Sequence, residues 1–170
     1  MKNTKAKMIS LYGMLLALSM VLSYVEAMIP VNIGVPGVKL GLPNIVTVIG
    51  LYSIGTGATI IISLLRIFLV AFTFGNAMTL AYSLSGFALS LVFMLLLKKL
   101  GGFSRIAISV SGGVMHNFGQ LGAAVVLLHS QQLFYYFPVL LAAGVISGAV
   151  IGLLAGLVTE RIRLYLNKIA

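Results

Sequence analysis

Six apolar stretches make up most of this 170-residue chain, and they constrain its fold more than any other feature. They lie near residues 8–28, 42–55, 57–73, 77–97, 106–129 and 136–159. Hydrophobic residues form 61% of the chain and charged residues only 8%, whereas soluble domains carry about a quarter charged residues. A soluble fold of this size cannot hide so much apolar surface from water. We therefore predict an all-α membrane protein with six transmembrane helices in a single integral membrane domain.

The positions of the basic residues predict the topology. A spanning helix needs about 20 residues, so the two short stretches on either side of the GTG junction at 55–57 could also form one long span. With six spans, all but two of the basic residues fall on the side of the termini: Lys2, Lys5, Lys7, Lys98, Lys99, Arg105, Arg161, Arg163 and Lys168. Only Lys39 falls on the opposite side, and a fused span would scatter the charges over both. Since cytoplasmic loops carry the excess of Lys and Arg, we predict a multi-pass plasma-membrane protein with both termini in the cytoplasm.

The net charge of +9 then has an explanation other than nucleic acid. A soluble protein with this charge would be a candidate nucleic-acid binder. Here the charge orients the chain and adds attraction to the anionic lipids of the bilayer, so no nucleic-acid partner is expected. Residues 1–8 resemble the start of a signal peptide, but no small-x-small cleavage site follows, and we expect the first helix to be retained.

Small residues recur at a spacing of four in two of the stretches. The last stretch carries a glycine ridge, Gly144, Gly148, Gly152 and Gly156. This spacing keeps them on one helical face and predicts close packing against another helix. Gly13 and Ala17 have the same spacing in the first stretch. There, internal packing and a docking surface for a partner subunit are equally good interpretations, because the first helix could lie at the outside of the bundle.

Arg66 lies about midway along the third stretch, where a charge is expensive. A charge at mid-membrane costs roughly 2.5–3.5 kcal/mol on insertion scales, so the guanidinium should face a cavity or a partner. It could clamp the carbonyl groups of neighbouring helices or bind an anionic ligand. We favour the ligand because no acidic residue is predicted at this depth, although Glu26, nearer the outer surface, could reach Arg66 across the bundle.

The fifth stretch contains the segment GGVMHNFGQLG, which places three hydrogen-bonding side chains within an apolar helix. His116 and Gln120 are four residues apart and share a face, whereas Asn117 is rotated by about 100°. In lipid these groups need polar partners, so they should point into the bundle. Hydrogen bonds between helices and a ligand cavity carry equal weight for such a set. The four glycines of the segment and the similar depth of Arg66 favour a polar pocket reachable from outside.

The connection PVNIGVPGVKLGLPN, residues 30–44, is the other unusual segment. Its three prolines and three glycines forbid a regular helix, yet it is too apolar for a free linker. We expect it to fold over the outer mouth of the bundle, with Asn32 and Lys39 above the pocket. A well-packed connection without a binding role is an equally weighted alternative.

Several chemistries have no residues to support them. The chain contains no G-x-x-x-x-G-K-[ST] phosphate loop, no aspartate and no cysteine. A Ser–His–Asp triad, a carboxylate cluster for magnesium and a His/Cys metal site are therefore excluded. We expect no catalytic residue, metal or cofactor in this chain. Energy for any transport would have to come from another protein.

Two motifs resemble known families. PGVKLGLPN followed by IV, together with the small-xxx-small step of the first helix and six spans, resembles the substrate-binding S components of energy-coupling factor (ECF) transporters. PGVKLGLPN combined with GGVMHNFGQL resembles the Gx transporter family, also catalogued as heptaprenyl diphosphate synthase component I. The resemblance covers nearly the whole chain and depends most on His116, Asn117, Gly119 and Gln120. Two features depart from the S-component pattern: Pro43 stands where alanine is common, and Gly13 with Ala17 replaces an alanine pair.

The resemblance implies an S-component-like bundle with an outward-facing ligand site under the 30–44 connection. Such a subunit captures a small molecule and relies on a transmembrane coupling subunit and two cytoplasmic ATPases. Arg66 and Lys39 favour an anionic, vitamin-like ligand. The synthase name implies an alternative, a non-catalytic accessory subunit for isoprenoid or quinone synthesis, because prenyl elongation needs aspartate-rich clusters. A third possibility is a scaffold for extracellular electron transfer with a small extracytoplasmic protein.

Overall fold

The computed structural model describes residues 2–29 and 41–169, with side chains for 5–29 and 41–166. The described chain is helical, and no strand occurs in these two ranges. Its helices are α1 (Lys2–Met28), α2 (Asn44–Ser53), α3 (Thr56–Thr73), α4 (Ala77–Leu100), α5 (Arg105–Leu128) and α6 (Phe137–Ile169). A short 3₁₀ helix, Gln131–Tyr136, leads into α6. The all-helical fold with six α-helices is therefore confirmed, while the side of the membrane on which the termini lie stays a prediction.

Local chemistry explains where the helices begin and end. Gly55 has a φ of 91°, which side-chain-bearing residues rarely adopt, and this breaks the chain between α2 and α3 at the predicted junction. The side chains of Asn76 and Ser104 accept hydrogen bonds from backbone N–H groups in the first turns of α4 and α5. Gly101 and Gly102, both with positive φ, end α4 and lead to α5.

Four segments are long and apolar enough to cross a membrane: Lys5–Met28, Thr56–Thr73, Ala77–Leu100 and Gln131–Leu166. The chain is therefore a membrane protein, but the prediction of six full spans is confirmed only in part. α5 has 24 residues, and its polar, glycine-rich middle lowers its mean hydropathy. α2 has only ten residues, which rise about 15 Å, half the thickness of the hydrocarbon core. α6 in turn continues well past residue 159, where its span was predicted to end.

The helices α4, α5 and α6 pack with their backbones in contact. A Cβ atom added to Gly148 would lie 2.6 Å from the Cα of Val110, and one added to Gly113 would lie 2.5 Å from the carbonyl oxygen of Gly144. The glycine ridge of α6 therefore packs internally against α5, as its spacing indicates. Gly156 is different, because an added Cβ would meet no atom of the described residues within 4 Å. The close contact ends one helical turn before it.

Helix α1 is attached to the bundle through side chains. It packs chiefly against α3, and Leu11 and Leu15 enter the same apolar core as α2 and the end of α6. Gly13 and Ala17 lie on the exposed face, and a Cβ added to Gly13 would meet nothing within 4 Å. Among the described residues nothing packs closely against Gly13, and a docking role for the pair stays a prediction.

Candidate functional site

The polar residues selected from the sequence are buried wherever the structure describes them. Glu26, Arg66, His116, Asn117 and Gln120 are each at most 8% exposed. The remaining two predicted site residues, Asn32 and Lys39, lie outside the described residues.

Two glycines make room for the imidazole ring of His116. A Cβ added to Gly86 of α4 would lie 2.9 Å from the ring atoms Cε1 and Nδ1, and one added to Gly41 would lie 3.3 Å from Cδ2. The ring is therefore held between α4 and the point where the 30–44 connection re-enters the bundle. Its Nε2 lies 3.1 Å from the side-chain nitrogen of Gln120. The Nδ1 atom on the other side of the ring is buried and has no hydrogen-bond partner among the described residues.

Glu26 fastens the connection to the end of α1. Its Oε1 accepts hydrogen bonds from the backbone N–H groups of Gly41, at 2.5 Å, and Leu42, at 3.1 Å. The same carboxylate is close enough to Arg66 to interact electrostatically. This interaction agrees with the expectation that Glu26, although nearer the outer surface, could reach Arg66 across the bundle. A carboxylate that accepts two backbone hydrogen bonds and faces a guanidinium is well stabilised as an anion.

Arg66 retains unused hydrogen-bonding capacity in spite of this neighbour. Its Nη2 atom is buried and has no hydrogen-bond partner within the described parts of the chain. His116 also lies within electrostatic range of the guanidinium. A buried donor without a partner lowers the stability of the fold, so this nitrogen is a candidate contact for a hydrogen-bond acceptor.

Asn117 belongs to a different interface. Its side-chain nitrogen donates to the carbonyl oxygen of Leu140 on α6, at 2.8 Å. The rotation of about 100° from His116 therefore turns it towards α6 and away from Gln120's side of α5. Asn117 thus makes one of the hydrogen bonds between helices that were the alternative to a ligand cavity, and its role in ligand binding stays a prediction. Its Oδ1 is buried, with no partner among the described residues.

We call Glu26, Arg66, His116 and Gln120 the seam cluster. Glu26 and His116 lie beside Gly41, Gln120 contacts His116, and Arg66 interacts electrostatically with Glu26 and His116. The cluster holds one guanidinium, one carboxylate, one imidazole and one amide group. Within the described residues no three His, Cys, Asp or Glu side chains are grouped so that they could hold a metal. Sequence reasoning missed Gly41, which belongs to the quoted PGVKLGLPN motif, and Gly86, which no motif signals.

The family described as heptaprenyl diphosphate synthase component I matches residues 15–158, which include the whole seam cluster. The chain belongs to this family. The family is the one that the loop and GGVMHNFGQL motifs indicated, under its second catalogue name. Neither the curated proteins nor the solved structures gave a match. The S-component part of the resemblance stays a prediction.

Proposed function

We propose that this chain is the substrate-binding membrane subunit of an ECF-type transporter and captures a small, anionic, vitamin-like molecule at the seam cluster. The observation that carries the proposal is the buried Nη2 of Arg66, which lacks a hydrogen-bond partner in the described residues. A carboxylate or phosphate on the ligand would supply that acceptor in a charge-assisted hydrogen bond. His116 and Gln120 would contact the polar remainder of the molecule.

The ligand enters, in this proposal, from outside the cell. Glu26 lies near the end of α1, and Gly41 lies where the chain returns from the connection, so the cluster is nearer the end of the bundle opposite the termini. The excess of basic residues at the termini supports this orientation, with that opposite end outside the plasma membrane. Asn32 and Lys39, in the connection itself, would add a polar group and a cation above the site.

Release of the ligand requires partner subunits. The chain has no phosphate-binding loop, so a transmembrane coupling subunit and two cytoplasmic ATPases would supply the energy. The exposed face of α1 that carries Gly13 and Ala17 is the proposed docking surface for the coupling subunit. Small residues there let a partner helix approach closely.

Ligand-induced thermal stabilisation of the purified protein tests this function. A panel of carboxylated and phosphorylated water-soluble vitamins would be screened against the wild type, Arg66→Lys, Gln120→Leu and the control Arg105→Lys. We expect one compound to raise the Tm of the wild type and the control, with at least about a tenfold loss of affinity in both cluster variants. Full affinity in Arg66→Lys and Gln120→Leu, or no stabilising compound, would count against the proposal.

The family description favours a second function. A component I implies another component of the synthase, and this chain has no aspartate with which to hold a magnesium diphosphate. In this role the chain is a non-catalytic accessory membrane subunit of prenyl diphosphate synthesis. Purification from native membranes should then recover an aspartate-rich synthase, and deletion of the chain should lower prenyl elongation. Recovery of a small extracytoplasmic redox protein instead would support the electron-transfer scaffold.

A further inference from the structure

A groove lies at the end of the bundle that carries both termini, far from the seam cluster along the helices. It runs between the start of α1 and the end of α6 and has a volume of about 860 Å³. The short α2 explains why it exists. α2 ends at Ser53 after ten residues, whereas α1 has 27 residues and α6 has 33. The ends of the two long helices therefore project past the α2–α3 turn with no helix between them.

The groove has the character of an amphiphile site. Its walls are mainly apolar and include Leu11, Met14, Leu157 and Leu164. Three of these are more than half exposed, Met14 at 60%, Leu157 at 66% and Leu164 at 57%. In a membrane protein such side chains face acyl chains, so the groove opens sideways to the lipid. Its volume lies within the range of roughly 300–1,000 Å³ that is typical of small-molecule sites.

Charged side chains line the same groove. Lys7 comes from α1, and Glu160 and Arg161 come from α6. Two cations against one carboxylate leave a net positive charge where the apolar spans end. Lys7 is half-buried, whereas Lys5, two residues earlier, is exposed, so Lys7 belongs to the groove and not only to the surface.

We propose that this groove binds an anionic phospholipid, with its phosphate between Lys7 and Arg161 and its acyl chains along the apolar walls. Charge complementarity selects an anionic over a zwitterionic head group, because the amine of the latter brings a positive charge towards the same two cations. The lipid fills the gap left by α2 and joins α1 to α6, two helices that make few contacts with each other. This site is independent of the proposed transport function.

Native mass spectrometry of the delipidated protein tests the proposal. Titration with phosphatidylglycerol should show one tightly bound molecule, and phosphatidylcholine should bind more weakly. Each basic contact near an anionic head group contributes enough that Lys7→Gln and Arg161→Gln should each weaken binding by about fivefold. Glu160→Gln should strengthen binding, a gain that a folding defect cannot produce. Arg163→Gln makes the same charge change on α6 outside the groove lining and should leave the affinity unchanged.

Three results would overturn the proposal. Equal binding of phosphatidylcholine would show an apolar site without charge selection. An equal loss in Arg163→Gln would show attraction to the general surface charge. Displacement of phosphatidylglycerol by stoichiometric farnesyl diphosphate would assign the groove to a prenyl diphosphate.

Discussion

The two halves of the bundle are held together in different ways. In α4, α5 and α6, backbones touch at glycines, and a Cβ added at Gly113 or Gly148 would lie within 2.6 Å of a neighbouring backbone atom. In α1, α2 and α3, side chains make the contacts, and Gly13 on α1 has open space before it. His116 and Gln120 lie on the first half, and Glu26 and Arg66 on the second. The candidate site therefore lies on the boundary between a half packed through backbone contacts and a half packed through side chains.

The largest expected effect comes from removing the charge at this boundary. Arg66→Met leaves the buried Glu26 without its cationic neighbour and should lower the free energy of unfolding by about 3–5 kcal/mol. Arg66→Lys should lose less, because it keeps the charge. Reversible unfolding in mixed detergent micelles measures both. If Arg66→Met is as stable as the wild type, the electrostatic link between Glu26 and Arg66 does not exist.

Overpacking the closely packed half should have the next largest effect. Gly148→Ala pushes a methyl group against the backbone of Val110 and should lower the free energy of unfolding by about 1–3 kcal/mol. Gly156→Ala, two turns later on the same ridge, is the matched control and should be neutral or slightly stabilising, because space is open there. Similar losses in both variants would contradict the contrast between the halves.

Within α5, variants of Asn117 and Gln120 should affect different properties, the stability of the fold and the binding of the ligand. Asn117→Leu removes a hydrogen bond to α6 and should lower the free energy of unfolding by roughly 0.6–1.7 kcal/mol without changing ligand affinity. Gln120→Leu should lower the ligand affinity instead. Isothermal titration with the compound found in the vitamin screen measures both affinities. An equal loss of affinity in Asn117→Leu and Gln120→Leu would show that Asn117 also contributes to the ligand site.

The smallest effect on stability is expected at Gly13. Gly13→Leu should change the free energy of unfolding by less than about 0.5 kcal/mol, because no part of the described chain lies against it. It should nevertheless reduce recovery of the coupling subunit in a pull-down from native membranes. The conservative variant Gly13→Ala serves as the control. If Gly13→Leu recovers as much coupling subunit as the wild type, this face is not the docking surface.

Much of the fold follows from local chemistry that the sequence displays. The break at Gly55 and the capping side chains Asn76 and Ser104 lie at or beside predicted ends of the apolar stretches. The short α2 was harder to predict, because apolar residues beside Pro43 suit a turn as well as a helix. The continuation of α6 was missed because charge ends an apolar stretch without ending a helix.

The site was less predictable than the fold. Helical geometry gave the angle between His116 and Asn117, but only the packing of neighbours decides that Asn117 meets α6. The reach of Glu26 depends on how α1 packs beside α3 and on where the connection returns at Gly41. These contacts depend on tertiary packing, which leaves no hydrophobic periodicity or motif in the sequence.

A double-mutant cycle between Arg66→Met and His116→Leu tests most directly whether the two halves contribute to one site. The free energy of unfolding would be measured for the wild type, both single variants and the double variant, with Arg66→Met and Ser104→Ala as the distant control pair. The seam cluster predicts a coupling energy of about 0.5–3 kcal/mol between Arg66 and His116, and additivity in the control. Additivity within about 0.3 kcal/mol for Arg66 and His116 would show that they act separately, and the shared site would have to be abandoned.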